Sequence, residues 1–209
     1  MTATDAFAGR HWRWGALAVA LAAQLLLLAQ PAAAANRCSL TDPVGDTFIP
    51  APGFQDIVGA QISRHGDRLL LQMTVANPVP RRPDLAGAAE IWWFWPIQTD
   101  PNLVVYGYPH LNDVGLPFEL VPYVAWDGTS FRAALIDRRP MVTGGKAVIT
   151  PVPFRISGRS IKLWLHQDRL GLPSTFGWTA ATGDWLTLPP SNTDQLVDVL
   201  DAGVVRGPC

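Results

Sequence analysis

Apolar and polar side chains alternate along many short segments of this chain. In residues 68–75, Leu69, Leu71, Met73 and Val75 recur at every second position, so they share one face of an extended strand. Asp127-Gly128 separates two further apolar segments and is a strong signal for a β-hairpin. The same pattern predicts strands at residues 56–63, 68–75, 90–97, 104–108, 118–126, 130–136, 147–152, 155–157, 161–165 and 175–182.

Strands of this length and spacing are typical of a β-sandwich or a barrel. We expect an all-β fold, an antiparallel, jelly-roll-like β-sandwich of about 8–11 strands. One segment also fits a helix, because Leu196, Val199 and Leu200 fall at helical spacing within residues 194–202. That segment is left open between a short helix and an extended tail.

The N-terminal residues have the three parts of a secretory signal peptide. A basic segment at residues 10–13 precedes an uncharged, mostly apolar run at residues 15–29, and a string of small residues follows. The apolar run is shorter than the roughly twenty residues that a membrane-spanning helix needs. We therefore expect cleavage after Ala34 or Ala35.

This leader divides the chain into a signal peptide at residues 1–35 and a single domain at residues 36–209. We expect that domain to be secreted or otherwise extracytoplasmic, so the membrane is a partner only transiently, through the signal peptide. The alternative is an N-terminal anchor that is not cleaved.

Removing the leader changes the composition. The remaining 174 residues hold 14 basic side chains, 16 acidic side chains and 7 Trp. A charge this close to neutral argues against a nucleic-acid partner, which usually requires a strongly basic surface. Fourteen of the acidic residues are Asp and 2 are Glu. This bias favours turns, caps and oxygen-ligated metal sites over helices.

The two cysteines stand at the two ends of the exported domain. Cys38 lies near its start and Cys209 is the last residue of the chain. In an oxidising compartment an even pair normally forms a disulfide, and domain termini are often close together. Closing so long a loop stabilises a fold by at most about 5 kcal/mol in the chain-entropy model. The alternative is two free or intermolecular thiols.

Three carboxylates surround the start of the first long predicted strand. Asp42 and Asp46 flank a Pro-Val-Gly turn, and Asp56 opens the strand at residues 56–63. A cluster of hard oxygen ligands suits Ca²⁺, which accepts irregular geometry. We therefore consider Ca²⁺ at Asp42, Asp46 and Asp56, with a structural role. In the alternative interpretation, these side chains accept hydrogen bonds from backbone amides of the turn.

The chain resembles a known family at this point. Asp42-Pro43-Val44-Gly45-Asp46, Asp56-Ile57 with its apolar strand, and the second strand at residues 69–75 are similar to the N-terminal hairpin of secreted DOMON-like domains. Gln98-Thr99-Asp100 resembles the end of their aromatic strand. Residues 171–180, Gly-Leu-Pro and then Phe-Gly-Trp-Thr-Ala, resemble their penultimate turn and closing strand.

The likeness extends over most of residues 40–182. The DOMON-like group includes the C-terminal domain of glucodextranases and the family 9 carbohydrate-binding modules. It implies a β-sandwich, usually accessory and non-catalytic, and members of the group bind sugars, bind haem or have no known ligand. Gln98 stands where such proteins commonly have an acid. The resemblance therefore does not extend to a metal site at that position.

A run of aromatic side chains at residues 91–97 is the main candidate for ligand binding. Side chains alternate along a strand, so Ile91, Trp93, Trp95 and Ile97 are expected between the sheets, with the intervening aromatics on the other face. Exposed flat rings stack on sugar faces, unless a loop buries them. The predicted binding platform is Trp92 and Phe94, with Tyr106, Tyr108, Trp126 and Trp185 as weaker candidates for the same platform.

Catalytic motifs do not stand out. The sequence contains neither a Gly-x-Ser-x-Gly elbow nor a His-Glu-x-x-His helix, although Glu90 or Glu119 with an Asp would make a carboxylate pair. We expect a non-enzymatic module that binds polysaccharide or a surface glycan. The alternatives are a structural or protein-interaction module of the cell envelope without a small ligand and, third, a glycoside-active enzyme. Burial of Trp92 and Phe94 would favour the structural module.

Overall fold

The computed structural model describes residues 37–100, 118–173, 176–185, 195–199 and 205–207. All of them belong to one unit, residues 36–209. The predicted signal peptide at residues 1–35 and the predicted strand at residues 104–108 lie outside the described residues. No helix within the described ranges is long and apolar enough to cross a membrane.

The described residues form an all-β fold in which two antiparallel sheets pack together, as the alternation predicts. They also include a short helix, α1 (Gln167–Leu170), and a 3₁₀ helix at Arg139–Thr143. The strands, in chain order, are β1 (Arg37–Thr41), β2 (Ile57–His65), β3 (Arg68–Val75), β4 (Glu90–Phe94), β5 (Ile97–Gln98), β6 (Leu120–Trp126), β7 (Phe131–Asp137), β8 (Val148–Pro151), β9 (Phe154–Ser157), β10 (Ser160–His166), β11 (Phe176–Trp178), β12 (Ala181–Trp185), β13 (Gln195–Val199) and β14 (Val205–Gly207).

The first sheet has five strands in the order β1-β2-β3-β10-β9. Its register places Ile62 opposite Leu71 and Leu71 opposite Leu163. These three side chains are fully buried because their row faces the second sheet. Since side chains alternate along a strand, their neighbours in sequence lie on the outer face of the first sheet.

The second sheet has nine strands, and two pairs of short strands lie end to end within it. β4 and β5 pair with β6 in one continuous register, with Ile91 opposite Trp126 and Ile97 opposite Leu120. On the other side, β12 pairs with β4 and β11 pairs with β5, again in one continuous register. Pro96 separates β4 from β5, because proline has no N–H to donate to a sheet. The predicted strand at residues 90–97 is therefore interrupted at its proline.

Large aromatic side chains fill the space between the sheets. Trp93, Trp95 and Trp178 of the second sheet are fully buried, and they form one cluster with the inward side chains of the first sheet. The sequence predicts that Ile91, Trp93, Trp95 and Ile97 lie in this inter-sheet core. That prediction is confirmed.

The structure also has elements that the alternation pattern missed. β1 precedes the first predicted strand and pairs with β2, with Cys38 opposite Ile62. β13 occupies residues 195–199, so this part of the undecided segment is extended. The described residues contain 14 strands, more than the about 8–11 expected for a sandwich, because two long predicted strands are divided and short edge strands are added.

Candidate functional site

The described members of the predicted aromatic platform are buried. Trp92, Phe94 and Trp126 are 8%, 7% and 3% exposed. Trp126 lies in the inter-sheet core, whereas Trp92 and Phe94 belong to a second apolar cluster on the outer face of the second sheet. Tyr106 and Tyr108 lie outside the described residues. Strands β4 and β6 at the centre of the second sheet are therefore apolar and buried on both faces.

Polar groups at the edge of this second cluster satisfy one another. The rings of Trp92 and Tyr123 stack with centroids 4.0 Å apart, and the Arg132 guanidinium lies over both. Arg132 donates to the Tyr123 hydroxyl at 2.8 Å and forms a salt bridge with Glu90. Glu90 also accepts the Trp92 indole N–H at 2.7 Å. Burial raises the pKa of Tyr123, and Arg132 partly offsets this. The arrangement holds the aromatic pair in place.

The three predicted metal-binding carboxylates lie around one turn. The Asp42 N–H donates to the Val58 carbonyl, which brings the turn back to the start of β2, and the Gly45 N–H donates to one oxygen of Asp56 at 2.9 Å. The latter bond is the backbone contact that the non-metal interpretation expects. The second oxygen of Asp56 and one oxygen of Asp46 are buried and have no hydrogen-bond partner within the described structure.

Two buried carboxylate oxygens without partners are a fit for a hard cation, because an orphaned buried acceptor otherwise costs free energy. Within the described ranges, however, no three side chains of His, Cys, Asp or Glu form a group arranged to hold a metal. An ion at this turn would therefore need main-chain oxygens or water besides Asp46 and Asp56.

A short segment before β2 holds Asp56 in position against the second sheet. The Trp93 indole donates to the Phe54 carbonyl at 2.8 Å, and the Thr182 hydroxyl donates to the Gln55 carbonyl at 2.6 Å. The Gln55 amide donates to Asp184 at 2.6 Å. Burial raises the pKa of Asp184, and the bond from Gln55 only partly offsets it.

The outer face of the first sheet is the other surface with a distinctive composition, and we call it the polar face. It consists of alternate residues of the five strands, which are exposed or partly exposed and lie outside the core clusters. It includes Ser39, Thr41, Gln61, Leu70, Gln72, Thr74, Arg155, Ser160, Lys162 and Trp164.

Trp164 is the aromatic side chain of the polar face, and it is partly exposed. Its cross-strand neighbour is Leu70, and the adjacent row joins Gln61, Gln72 and Lys162 across three strands. The Gln61 amide donates to the Gln72 side chain at 3.1 Å, so the amides are held in a defined orientation. An aromatic ring beside fixed amide groups is suited to a ligand with both apolar faces and hydroxyl groups.

The sequence carried a signal for this face. Ile161, Leu163 and Leu165 are the inward positions of β10, and alternation therefore assigns Lys162 and Trp164 to the outside. The aromatic run at residues 91–97 is the more conspicuous pattern, but a strand buried on both faces also requires apolar residues at every position. The dense aromatic run at residues 91–97 thus indicates burial, whereas the isolated Trp164 on an alternating strand indicates an outward position.

The carboxylates considered for catalysis have structural partners. Glu90 is engaged by Arg132 and Trp92, as described above. Glu119 is fully buried, and its two oxygens accept the N–H groups of Thr99 at 2.7 Å and Asp100 at 2.9 Å.

Comparison with known proteins found no matching family model, no matching curated protein and no matching solved structure.

We predict that replacing Asp184 with Asn stabilises the protein at neutral pH. The change removes a buried charge and keeps an acceptor oxygen for Gln55. Because the pKa of Asp184 is raised in the folded state, its ionisation opposes folding at pH values above the unfolded-state pKa. The free energy of unfolding of D184N, measured with urea, should exceed that of wild type at pH 7. The difference should disappear as the pH falls below the ordinary range of an aspartate.

Asp127 provides a control of opposite sign. Hydrogen bonds from Thr129 and Ser130 lower its pKa, so its ionised form favours folding and that contribution is lost as the pH falls. D127N should therefore be less stable than wild type at pH 7. A D184N variant that is no more stable than wild type at pH 7 would contradict the burial argument.

Proposed function

We propose that residues 36–209 form an exported, non-enzymatic β-sandwich module that binds carbohydrate or a cell-surface glycan through the polar face. The observation that carries the proposal is Trp164, a partly exposed aromatic side chain among amides and hydroxyls on the open face of the first sheet. Glycan binding through an aromatic surface remains the proposed function. The surface is assigned to the first sheet and not to the second sheet, where the sequence pattern predicts it.

The chemistry of the polar face supports a sugar ligand. A pyranose ring has an apolar face of C–H groups that packs on an aromatic ring, and its hydroxyls need hydrogen-bonding partners. Trp164 and Leu70 supply the apolar contact, and Gln61 and Gln72 supply donors and acceptors one row away. These side chains are partly exposed and lie on neighbouring strands of a sheet, which suits a length of polymer better than a single enclosed sugar.

Export and family membership are part of the same proposal. The basic, apolar and small-residue parts of residues 1–35 support secretion. The two packed antiparallel sheets agree with the sandwich that the DOMON-like resemblance implies, and sugar binding is one of the activities found in that group.

A structural or protein-interaction module of the envelope is the second candidate. The burial of Trp92 and Phe94 favours it, because these rings then serve packing and not ligand binding.

We expect Trp164→Ala to weaken polysaccharide binding at least about tenfold, since truncating an aromatic anchor of an interface costs about 2 kcal/mol or more. Glycan-array binding of the wild-type domain identifies a ligand, and titration calorimetry then compares the variants. Phe48→Ala removes another exposed aromatic ring, in the connection between β1 and β2, and should leave affinity unchanged. If the wild-type domain binds no polysaccharide, the structural module is the better account.

We also propose a structural Ca²⁺ ion at the turn formed by Asp42, Asp46 and Asp56. The buried, unpartnered oxygens of Asp46 and Asp56 support it. The segment that holds Asp56 also contacts Trp93 and Thr182, so an ion here would stabilise the join between the two sheets.

Adding a Ca²⁺ chelator should lower the melting temperature, because an ion bound only to the native state raises the free energy of unfolding by about 2.7 kcal/mol at 100 times its Kd. Scanning calorimetry with and without EGTA measures the effect. Asp46→Asn should abolish the response to EGTA, and Asp84→Asn, at an exposed acid, should preserve it. A wild-type melting temperature that EGTA does not change argues for the backbone-bonded turn without metal.

A disulfide between Cys38 and Cys209 completes the proposal. Cys38 is on β1, the edge strand of the first sheet, and β14 of the second sheet ends two residues before Cys209. Cys209 itself lies outside the described residues, and no described cysteine is free. The bond would therefore link one edge of each sheet.

The intact mass of the unreduced protein should be lower than that of the reduced protein by two hydrogens, and peptide mapping should join Cys38 to Cys209. Reduction should cost about 2–5 kcal/mol of stability, as for other small secreted domains. Two alkylatable thiols in the unreduced protein would refute the pairing.

A further inference from the structure

Charge is distributed unevenly between the two sheets. The five strands of the first sheet contain 33 residues, with Arg or Lys at five positions and no Asp or Glu. The second sheet carries four acidic residues in its strands, at Glu90, Asp137, Asp184 and Asp198. A domain with 16 acidic and 14 basic side chains thus has one sheet from which acids are excluded.

Two cations face each other on the polar face. Lys162 on β10 is directly opposite Arg155 on β9. Like charges in directly opposite positions destabilise a sheet, and in the described part of the chain neither side chain forms a salt bridge. The pair is therefore a cost to the folded protein by itself, and a bound anion would remove that cost.

Basic side chains continue to one end of the same sheet. Arg68 lies between His65 and His166 in the register of β2, β3 and β10. Asp67, in the turn between β2 and β3, lies 3.5 Å from His166 and partly balances this end. At Lys162 and Arg155 there is no such balance within the strands.

From this charge pattern we infer that the ligand of the polar face is an acidic polysaccharide, with its carboxylate or sulfate groups at Lys162 and Arg155. The inference rests on the proposed function, which requires only a glycan. The planar fork of Arg155 suits a carboxylate, and Lys162 offers a mobile point charge. Both are within one or two rows of Trp164, so a polymer can stack on the ring and place its acidic groups on the cations.

An anionic membrane is a less suitable partner for this face. Binding to a lipid surface requires protruding apolar side chains beside the basic ones, so that they enter the acyl region. The polar face instead has amide and hydroxyl groups around Lys162, and Trp164 is only partly exposed. These groups match the hydroxyls of a sugar chain.

The test compares acidic and neutral glycans on the mature protein. Titration calorimetry with polygalacturonate, alginate and dextran sulfate should give binding at least about tenfold tighter than with methyl-esterified polygalacturonate and dextran. Raising the salt concentration should weaken the acidic ligands, because surface charge interactions are screened. The double variant R155Q/K162Q should lose at least about tenfold in affinity for the acidic ligands.

The double variant R81Q/R82Q is the matched control, because it removes the same charge from an exposed loop. It should bind acidic glycans within about twofold of wild type. An equal loss of affinity for acidic glycans in both double variants would indicate adventitious polyanion binding and overturn the inference.

Two further results separate the inference from the proposed function. If neutral glycans bind as tightly as acidic ones and W164A abolishes that binding, the proposed function stands and the inference falls. If no glycan binds, both fall. Tighter binding to phosphatidylglycerol vesicles than to any acidic glycan would assign the face to a membrane and also overturn the inference.

Discussion

The packing of tryptophan between the two sheets determines the rest of the structure. Trp93, Trp95 and Trp178 are fully buried, and the indole N–H groups of Trp95 and Trp178 have no hydrogen-bond partner among the described residues. Each such group costs about 1–3 kcal/mol, so the burial of large aromatic surface must outweigh it. Trp93 differs, because its indole N–H bonds to Phe54. That bond joins the core to the segment carrying Asp56.

The two sheets have different roles as a result. The central strands β4 and β6 of the second sheet bury both faces, with the tryptophan core on one side and the cluster of Trp92, Phe94 and Tyr123 on the other. The first sheet buries one face, and the side chains of its polar face are exposed or partly exposed. A rigid sheet with one packed face and one polar face is a good support for recognition, because its exposed side chains are fixed by the register of the strands. The packed core behind the first sheet therefore fixes the positions of the side chains of the polar face.

The net charge conceals an uneven distribution of charged residues between the two sheets. The domain is nearly neutral, which argues against nucleic acid, yet its acidic residues avoid the strands of the first sheet. Lys162 and Arg155 are not adjacent in the sequence, and the pairing of β9 with β10 places them side by side. The net charge of the sequence sums the charges of all surfaces, whereas the fold places the basic residues of the first sheet apart from the acidic residues of the second sheet.

The pattern of apolar and polar residues predicts the class of fold and the inward positions. Alternation identified β3 and the core residues Ile91 and Trp93, because a period of two is a local property of an extended chain. Burial of the outward positions depends instead on contacts between elements that are distant in the sequence. Trp92 and Trp164 both occupy outward positions of a strand, but Trp92 is buried and Trp164 is partly exposed. Burial of an outward position depends on what packs over the sheet, which the strand's own pattern does not contain.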